Sequence, residues 1–225
     1  MNMRTSQKAE SRQRIVEAAG YRLRESGAAG TGVVEVMADA GLTHGGFYAH
    51  FDSKEDLLKA ALQEAMLSRE GWVAGLDDMS HKKRLSILLE RYLNPQHRDN
   101  PRDGCPVPAV APDMIQGDAA MQAVFATEVE KSIAAVTRIL KADSGSRSSA
   151  AARANAMAAI SLCVGGLLLA RAVGDSKLSD EILQASRQAG ERAFVESGTD
   201  KGPAQTGIAL DGSVKARAKR KMPKS

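Results

Sequence analysis

The sequence predicts an all-α protein, and three observations support that fold class. Apolar residues recur at spacings of three and four along most of the chain, as on one face of a helix. No segment shows the alternation of apolar and polar residues that is typical of a half-buried strand. Proline is sparse, with 7 among 225 residues, and alanine is plentiful. A chain of this length can bury a sizeable core in one medium domain or two small ones.

The first sixty residues predict four helices with short turns between them. The first helix covers about 6–26, where Gly27 ends it. The second covers about 33–40 and the third covers 44–51. Between these two, Gly41 stands where a helix ends in a left-handed turn, which glycine adopts without steric penalty.

Two hydroxyl residues predict where the third and fourth helices begin. Thr43 is in position to cap the third helix. Ser53 precedes the fourth, and Asp56 three residues later forms a near capping box. The fourth helix has an apolar stripe that includes Leu57, Ala61 and Leu62.

The remainder of the chain predicts a larger helical body and a polar tail. A loop rich in polar residues, proline and glycine is expected over 94–104, and the Ser144-Gly145-Ser146 and Gly174-Asp175-Ser176 segments mark breaks. The expected helices cover about 81–93, 108–116, 119–142, 149–172 and 179–197. From Thr199 onward the composition cannot bury a core, and disorder is expected.

The positive charge of the chain is concentrated in that tail. The net charge is +4. Residues 199–225 hold seven Lys or Arg against two Asp or Glu, so the rest of the chain is close to neutral. Net charge therefore does not by itself indicate nucleic-acid binding. Whether the tail adds phosphate attraction or is simply solvated stays open.

Residues 33–51 have the pattern of a helix-turn-helix. Apolar side chains that would clamp its helices together are Val33, Val36, Leu42, Phe47 and Phe51. His44, Gly45, Tyr48 and Ala49 would then point outward. Adjacent glycines cost a helix about 1 kcal/mol each relative to alanine. Close approach to DNA or close packing against the second helix would each explain them.

The segment from Ala40 to Leu57 resembles the signature of the tetracycline-repressor (TetR) family. The glycine turn, Tyr48-x-His50-Phe51 and Ser53-Lys54 are in register with it, and the resemblance covers roughly residues 10–60. It implies a three-helix DNA-binding head, a larger helical body, a homodimer and a palindromic double-stranded DNA operator. The implied organisation is a helix-turn-helix domain over 1–56, a helical sensing and dimerisation domain over 57–198 and a disordered basic tail over 199–225.

The resemblance also implies roles for individual residues. Positions that contact phosphates in the family are matched by Thr43, Tyr48, His50 and Lys54. Positions near base edges are matched by Val34, His44, Gly45 and Gly46. Further backbone contacts are expected from Arg4, Lys8 and Arg12. Phosphate contacts position such a protein, and base contacts specify the sequence.

Two residues depart from the family pattern. The family often has two threonines before the second helix, whereas this chain has Thr31-Gly32. Thr31 and Gly32 stay candidate contacts, although the second hydroxyl is lost unless a backbone amide replaces it. Met37 occupies a site that is usually small, between the two helices, so their crossing is expected to change slightly.

Cys105 is the candidate sensor residue of the body. It precedes a predicted helix, and Arg98 and Arg102 are near in sequence; a helix N-terminus and cations both stabilise a reactive thiolate. The Gly104-Cys105 stretch also resembles the N-ethylmaleimide-reductase repressor, an electrophile- and oxidant-sensing member of the family. The alternative is that Cys105 is a small buried apolar residue. Cys163, within an apolar run, is expected to be structural.

A small-molecule pocket is the rival switch for the same body. The residues that could line it are Trp72, Tyr92, Met114, Met121, Phe125, Met157 and Leu162. The same residues at helical spacing are also consistent with an ordinary core. The effector is therefore expected to be either a small molecule or an electrophile.

The last two helices are expected to form the dimer interface. Small residues follow spacings of three and four along the uncharged run 154–170, which permits close helix approach: Ala151, Ala154, Ala158, Ser161, Gly165 and Leu168. The run is shorter than the roughly twenty apolar residues of a membrane span, so a helix between protein surfaces is expected.

Other classes of protein are disfavoured. Cys105 with His97 could be imagined as a nucleophile and base, but no nucleotide loop, nucleophile elbow or metal-ligand motif accompanies them. A helical adaptor would not need an exposed Gly-Gly-Phe-Tyr-Ala-His helix. No cofactor and no metal are expected, and the two cysteines with no visible signal segment favour the cytoplasm.

Overall fold

The computed structural model describes residues 3–141 and 149–195, and within those ranges it is helical with no strand. The all-α prediction is therefore confirmed. The predicted break at 144–146 and the predicted tail at 199–225 lie outside the described residues. The helices are α1 (Met3–Ser26), α2 (Val33–Asp39), α3 (Lys54–Met66), α4 (Ser68–Val73), α5 (His81–Tyr92), α6 (Pro95–Asp99), α7 (Val107–Gln116), α8 (Ala119–Lys141), α9 (Ser149–Ala172) and α10 (Lys177–Gly190), with 3₁₀ turns at His44–Ala49 and Pro101–Asp103 and a π turn at Glu191–Val195.

The first helix carries the core of the N-terminal head. Ile15, Ala19 and Leu23 are fully buried, as their spacing predicts, and α1 packs mainly against α3. Gly27 ends α1 with a φ of 69°, a left-handed conformation that a side chain would strain. The exposed ion pair between Arg22 and Asp39, 2.7 Å from Nε to Oδ2, joins α1 to α2.

The turn between α2 and the next segment is a Schellman motif. Gly41 has a φ of 67°, the Leu42 N–H donates to the Met37 carbonyl at 2.9 Å, and the Gly41 N–H donates to the Ala38 carbonyl at 3.0 Å. Both predictions for this turn, a left-handed Gly41 and a packed Leu42, are confirmed.

The predicted third helix is a short 3₁₀ turn, His44–Ala49, called here the reading segment. Thr43 is at its N-cap but makes no capping hydrogen bond with its side chain, contrary to the prediction. Two glycines in the first three positions disfavour an α-helix. Phe47 nevertheless anchors the segment, since it is 2% exposed and stacks on Phe51 with ring centroids 5.9 Å apart.

The predicted cap of α3 is confirmed. The Ser53 side chain accepts a hydrogen bond from the Asp56 N–H at 3.1 Å. Leu57, Ala61 and Leu62 are buried on the predicted stripe of α3. This helix packs into the same apolar cluster as α1, so the core of the head extends beyond residue 56.

The loop predicted over 94–104 contains two short helical pieces, and the prediction of an irregular loop is therefore wrong. Asn94 caps α6 by accepting from the His97 N–H at 2.9 Å, and Pro95 takes the first helical position, where its missing N–H costs nothing. The pair Asn94-Pro95 is a helix-start signal. Helix α4 was also not predicted.

Helix α7 joins the head to the body. Its Val110 and Met114 belong to the apolar cluster of the head. The Asp113 carboxylate accepts hydrogen bonds from the Ala28 N–H at 2.6 Å and the Ala29 N–H at 3.4 Å, in the turn after α1. Because these are charge-assisted bonds to otherwise unsatisfied amides, Asp113 holds that turn against the body.

The body has its own apolar cluster, built from α5, α8, α9 and α10. Ala152, Ala156, Ala159 and Leu167 form the buried face of α9. Within the described ranges one helix segment, Ala150–Ala172, is long and apolar enough to cross a membrane by length and composition, a property that core helices of soluble proteins share.

We predict that Asp113→Ala lowers the free energy of unfolding by about 1–3 kcal/mol, because it leaves the Ala28 and Ala29 amides without their acceptor. Urea denaturation monitored by circular dichroism measures the change. Asp175→Ala, which removes an exposed carboxylate, is the control and should change stability by less than about 0.5 kcal/mol. Equal effects of the two substitutions would contradict the role given to Asp113.

Candidate functional site

The reading segment and the start of α2 present an exposed surface. Tyr48 is 71% exposed and Val34 is 59% exposed, although both are large and partly apolar. His44 and Gly45 are exposed as well. The Tyr48 ring meets Phe47 edge-on with centroids 5.2 Å apart, so the buried Phe47 orients the exposed Tyr48.

Packing does not explain the adjacent glycines. A Cβ atom added to Gly45 would have no neighbour within 4 Å. One added to Gly46 would be 3.7 Å from Met37 Cε and 3.8 Å from Thr43 Oγ1, which are ordinary contact distances. Met37 itself is fully buried. Of the two explanations left open by the sequence, close packing against α2 is therefore not supported for Gly45.

His50 lies at the end of the reading segment beside two cations from α1. Burial lowers the pKa of His50, and the charges of Lys8 and Arg12 lower it further. Its Nδ1 atom is buried and has no hydrogen-bond partner among the described residues. The Arg12 guanidinium lies 4.8 Å from the centre of the Phe51 ring. Two cations and an unsatisfied imidazole thus meet where a phosphate contact was expected.

Thr31 differs from its expected role. It is 1% exposed, and its hydroxyl donates to the Gly27 carbonyl at 2.7 Å. A hydroxyl held inside the turn after α1 is not presented to DNA, so the side-chain contact expected of Thr31 is not supported. Gly32 is the N-cap of α2, without a side-chain cap, and the Glu35 carboxylate fills the space where a Cβ of residue 32 would stand.

The other expected phosphate contacts are accessible. Thr43 is exposed. Lys54 is the first residue of α3 and is half-buried. There the helix dipole favours an anion, although Ser53 already accepts from the Asp56 N–H and the Glu55 and Asp56 carboxylates oppose it.

A cavity of about 120 Å³ lies in the body, between α4, α5, α8 and α9. Of the residues that the sequence suggested for a pocket, Trp72 and Tyr92 line it. The others do not. Met114, Met121 and Phe125 pack in or against the core of the head, Leu162 packs against the body cluster, and Met157 is 41% exposed on α9.

Cys105 and Cys163 both line this cavity. Burial raises the pKa of Cys105, although Tyr92, the Val107 amide, Arg171 and Arg24 act in the opposite direction. The expected partners face elsewhere: Arg98 pairs with Asp99 and Asp180, and Arg102 lies over the Tyr21 ring. The prediction of a stabilised thiolate at Cys105 is therefore not supported. Burial raises the pKa of Cys163 to about 12, as expected for a structural cysteine.

His97 is a structural residue next to Cys105. Its Nε2 atom accepts from the Cys105 backbone N–H at 3.0 Å, and its Nδ1 atom bonds the Tyr92 carbonyl at 2.8 Å. Burial lowers its pKa to about 4. With both ring nitrogens engaged by the backbone, the neutral ring connects the end of α5 to Cys105, and the imagined nucleophile–base pair is not formed.

Arg171 and the α6 region were missed by sequence reasoning. Arg171 donates to the carbonyl groups of His97 and Arg98 at 2.7 and 3.1 Å, near the end of α6. No local pattern links residues more than seventy positions apart. Among the described residues, no group of three or more His, Cys, Asp or Glu side chains could hold a metal ion.

We predict that Cys105 alkylates slowly at pH 7, because its raised pKa keeps the thiol protonated and the thiolate is the nucleophile. Iodoacetamide labelling of Cys163→Ala, followed by mass spectrometry, gives the rate. It should be below that of free cysteine at pH 7 and should increase as the pH rises above 9. A rate above that of free cysteine at pH 7 would restore the thiolate hypothesis.

The N-terminal head matches a protein-family model, and the fold of most of the chain resembles solved structures. Residues 15–61 match the family model described as bacterial regulatory proteins, tetR family. No curated protein matches the chain. A TetR transcriptional regulator from Chloroflexus aurantiacus superposes with a TM-score of 0.69 at 22% identity, over 83% of this chain and 95% of that one.

Two further structures show the same architecture. Reduced NemR from E. coli superposes with a TM-score of 0.68 at 18% identity, over 81% of this chain and 95% of that one. A putative TetR-family transcriptional regulator from Rhodococcus sp. superposes with a TM-score of 0.66 at 18% identity, over 83% and 99%. The chain therefore carries the N-terminal domain of the bacterial regulatory proteins of the tetR family, followed by a helical body with the fold of TetR-family regulators.

Proposed function

We propose that this protein is a homodimeric transcriptional repressor that binds a palindromic DNA operator through the reading segment and releases it when an effector occupies the body. The observation that carries the DNA-binding part is the exposed Gly45, which lies between the exposed His44 and the half-buried Gly46 near Tyr48. Glycine at position 45 costs helical stability and packs against nothing, so its use is explained by close approach of another molecule to the backbone.

The proposed contacts fall into two groups. Tyr48, His50, Thr43 and Lys54 would bind phosphates, with Lys8 and Arg12 beside His50. Base edges would be read by Val34, His44, Gly45 and Gly46. Most of these proposed contact residues are exposed to solvent, which supports their role. For Gly32, only the backbone amide at the start of α2 is available, and Thr31 supports that turn from inside.

A dimer is proposed through α9 and α10. The predicted stripe on α9 is solvent-facing in the single chain: Ala154, Ala158, Ser161 and Leu168 are exposed. Leu169 and Leu178 are 56% and 53% exposed next to it. A second copy related by a two-fold axis would bury this apolar face and set two reading segments a fixed distance apart.

The domain roles follow from these proposals. Residues 1–56 would read DNA, and 57–198 would sense the effector and dimerise. Two effector mechanisms compete: non-covalent binding in the cavity, or modification of Cys105 by an electrophile or oxidant. The raised pKa of Cys105 favours the first, and the alkylation rate separates them.

We predict that Gly45→Ala weakens operator binding by at least tenfold while leaving the melting temperature unchanged or higher, because the added methyl group has room in the free protein but meets the DNA. Footprinting on the DNA around its own gene would first define a protected palindrome. Mobility-shift titrations at fixed salt then measure affinity.

Gly71→Ala is the matched control for that test. Gly71 is an exposed helical glycine on α4 whose added Cβ would also meet nothing within 4 Å. It should leave DNA affinity unchanged. Equal affinities for the two variants, or no protection of any DNA at low salt, would reject the proposed reading surface.

We predict that Ala158→Glu converts the dimer to a monomer at micromolar concentration, because it places an unpaired charge in an apolar interface. Sedimentation equilibrium measures the mass. Ala126→Glu makes the same change at an exposed position on α8 and should stay dimeric. A parent protein that is already monomeric would refute the proposed interface.

A further inference from the structure

Two residues in the wall of the body cavity carry buried hydrogen-bond donors. Trp72 and Tyr92 line it, and their rings meet at a centroid distance of 5.2 Å. The Trp72 indole Nε1 and the Tyr92 hydroxyl are buried and have no hydrogen-bond partner among the described residues. Buried indole and phenol groups normally find a partner, and an unsatisfied one is unfavourable.

The two donors differ in what they can bind. An indole N–H only donates, whereas a phenol hydroxyl donates and accepts. The Tyr92 hydroxyl lies near the Cys105 thiol, which is a weak partner. A ligand that places an acceptor atom between the two groups would accept a hydrogen bond from each. A carbonyl oxygen, with two lone pairs, fits this requirement.

The charged groups next to the cavity are already paired. Arg69 lines it, and its guanidinium donates to Glu128 at 2.8 Å and to the Met66 carbonyl at 2.7 Å. Glu128 is also paired with Lys131 at 2.6 Å. Both cysteines in the wall favour the neutral thiol. A charged ligand would therefore lose its hydration without gaining a counter-ion.

The remaining wall is mostly apolar, with Ser68 and Ser132 as its hydroxyl residues, and includes Val73, Leu88, Val129 and Ile160. In another protein, an apolar cavity of roughly 150 Å³ binds benzene. The volume of about 120 Å³ is of the same order. The space thus matches a ligand built on one small ring.

We propose that this cavity binds a small neutral aromatic compound that carries a carbonyl acceptor, held by hydrogen bonds from the Trp72 indole and the Tyr92 hydroxyl. The inference rests on the proposed effector role of the body for its biological meaning, but the binding itself does not require DNA. Because Val107 also lines the cavity and begins α7, such a ligand would touch the helix whose Asp113 holds the turn of the head.

Three probes of similar shape test the chemical class. Acetophenone has the ring and the carbonyl, cumene has a similar size without an acceptor, and benzoate adds a negative charge. Isothermal titration of the full chain without DNA should show acetophenone binding about ten- to hundredfold more tightly than cumene, since each of the two donors is expected to contribute about three- to tenfold. Benzoate should show no binding.

Variants test the two donors. Tyr92→Phe and Trp72→Phe should each weaken acetophenone binding about three- to tenfold and leave cumene binding close to that of the parent. Retained cumene binding shows that the cavity is intact in each variant. Tyr21→Phe, which removes a phenol outside the cavity, is the matched control and should change neither affinity.

Several outcomes would overturn the proposal. With the parent protein, these are equal binding of acetophenone and cumene, binding of benzoate that is tighter than that of acetophenone, or no binding of either neutral probe. With the variants, the contradicting result is that Tyr92→Phe and Trp72→Phe, each tested singly, both bind acetophenone as tightly as the parent does. Each is measured without DNA. Failure of the repressor proposal, seen as absence of a protected operator, is therefore a separate result.

Discussion

The two-amide contact of Asp113 is the interaction on which the arrangement of head and body depends. The carboxylate belongs to α7, and the amides belong to the turn that ends α1. The same helix places Val110 and Met114 in the core of the head, while Val107 borders the cavity of the body. One helix of ten residues thus contacts the cavity at Val107 and the turn before α2 at Asp113.

The reading segment depends on a second constraint, the burial of Phe47 and Met37. The buried Phe47 anchors the 3₁₀ turn, in which two glycines disfavour an α-helix, and the Schellman turn at Gly41 precedes it. The exposed face therefore lies over the buried Phe47 side chain, and Gly45 and Gly46 give it almost no side-chain bulk. Such a surface suits a partner that approaches the backbone closely, whereas a surface selected only for solubility would carry charged residues.

The wall of the cavity combines one paired charge with two neutral donors. Arg69, which lines it, is paired with Glu128. Among the described residues of the wall, the buried side-chain nitrogen and oxygen atoms without a hydrogen-bond partner are the Trp72 indole Nε1 and the Tyr92 hydroxyl. This division indicates a site in which apolar contact provides most of the binding free energy and hydrogen bonds select the ligand.

By itself, the sequence determined what depends on local chemistry. Apolar spacing determined the fold class and the longer helices, Gly41 determined the left-handed turn, and Ser53 determined the cap of α3, because each acts within a few residues. Only the tertiary structure decided what depends on distant partners. It paired Arg98 with Asp180, placed Arg102 over Tyr21 and brought Arg171 to the carbonyl of His97, so that neither Arg98 nor Arg102 serves Cys105. These outcomes follow from burial and from contacts across the fold, which shift a pKa or occupy a hydroxyl without leaving a local pattern.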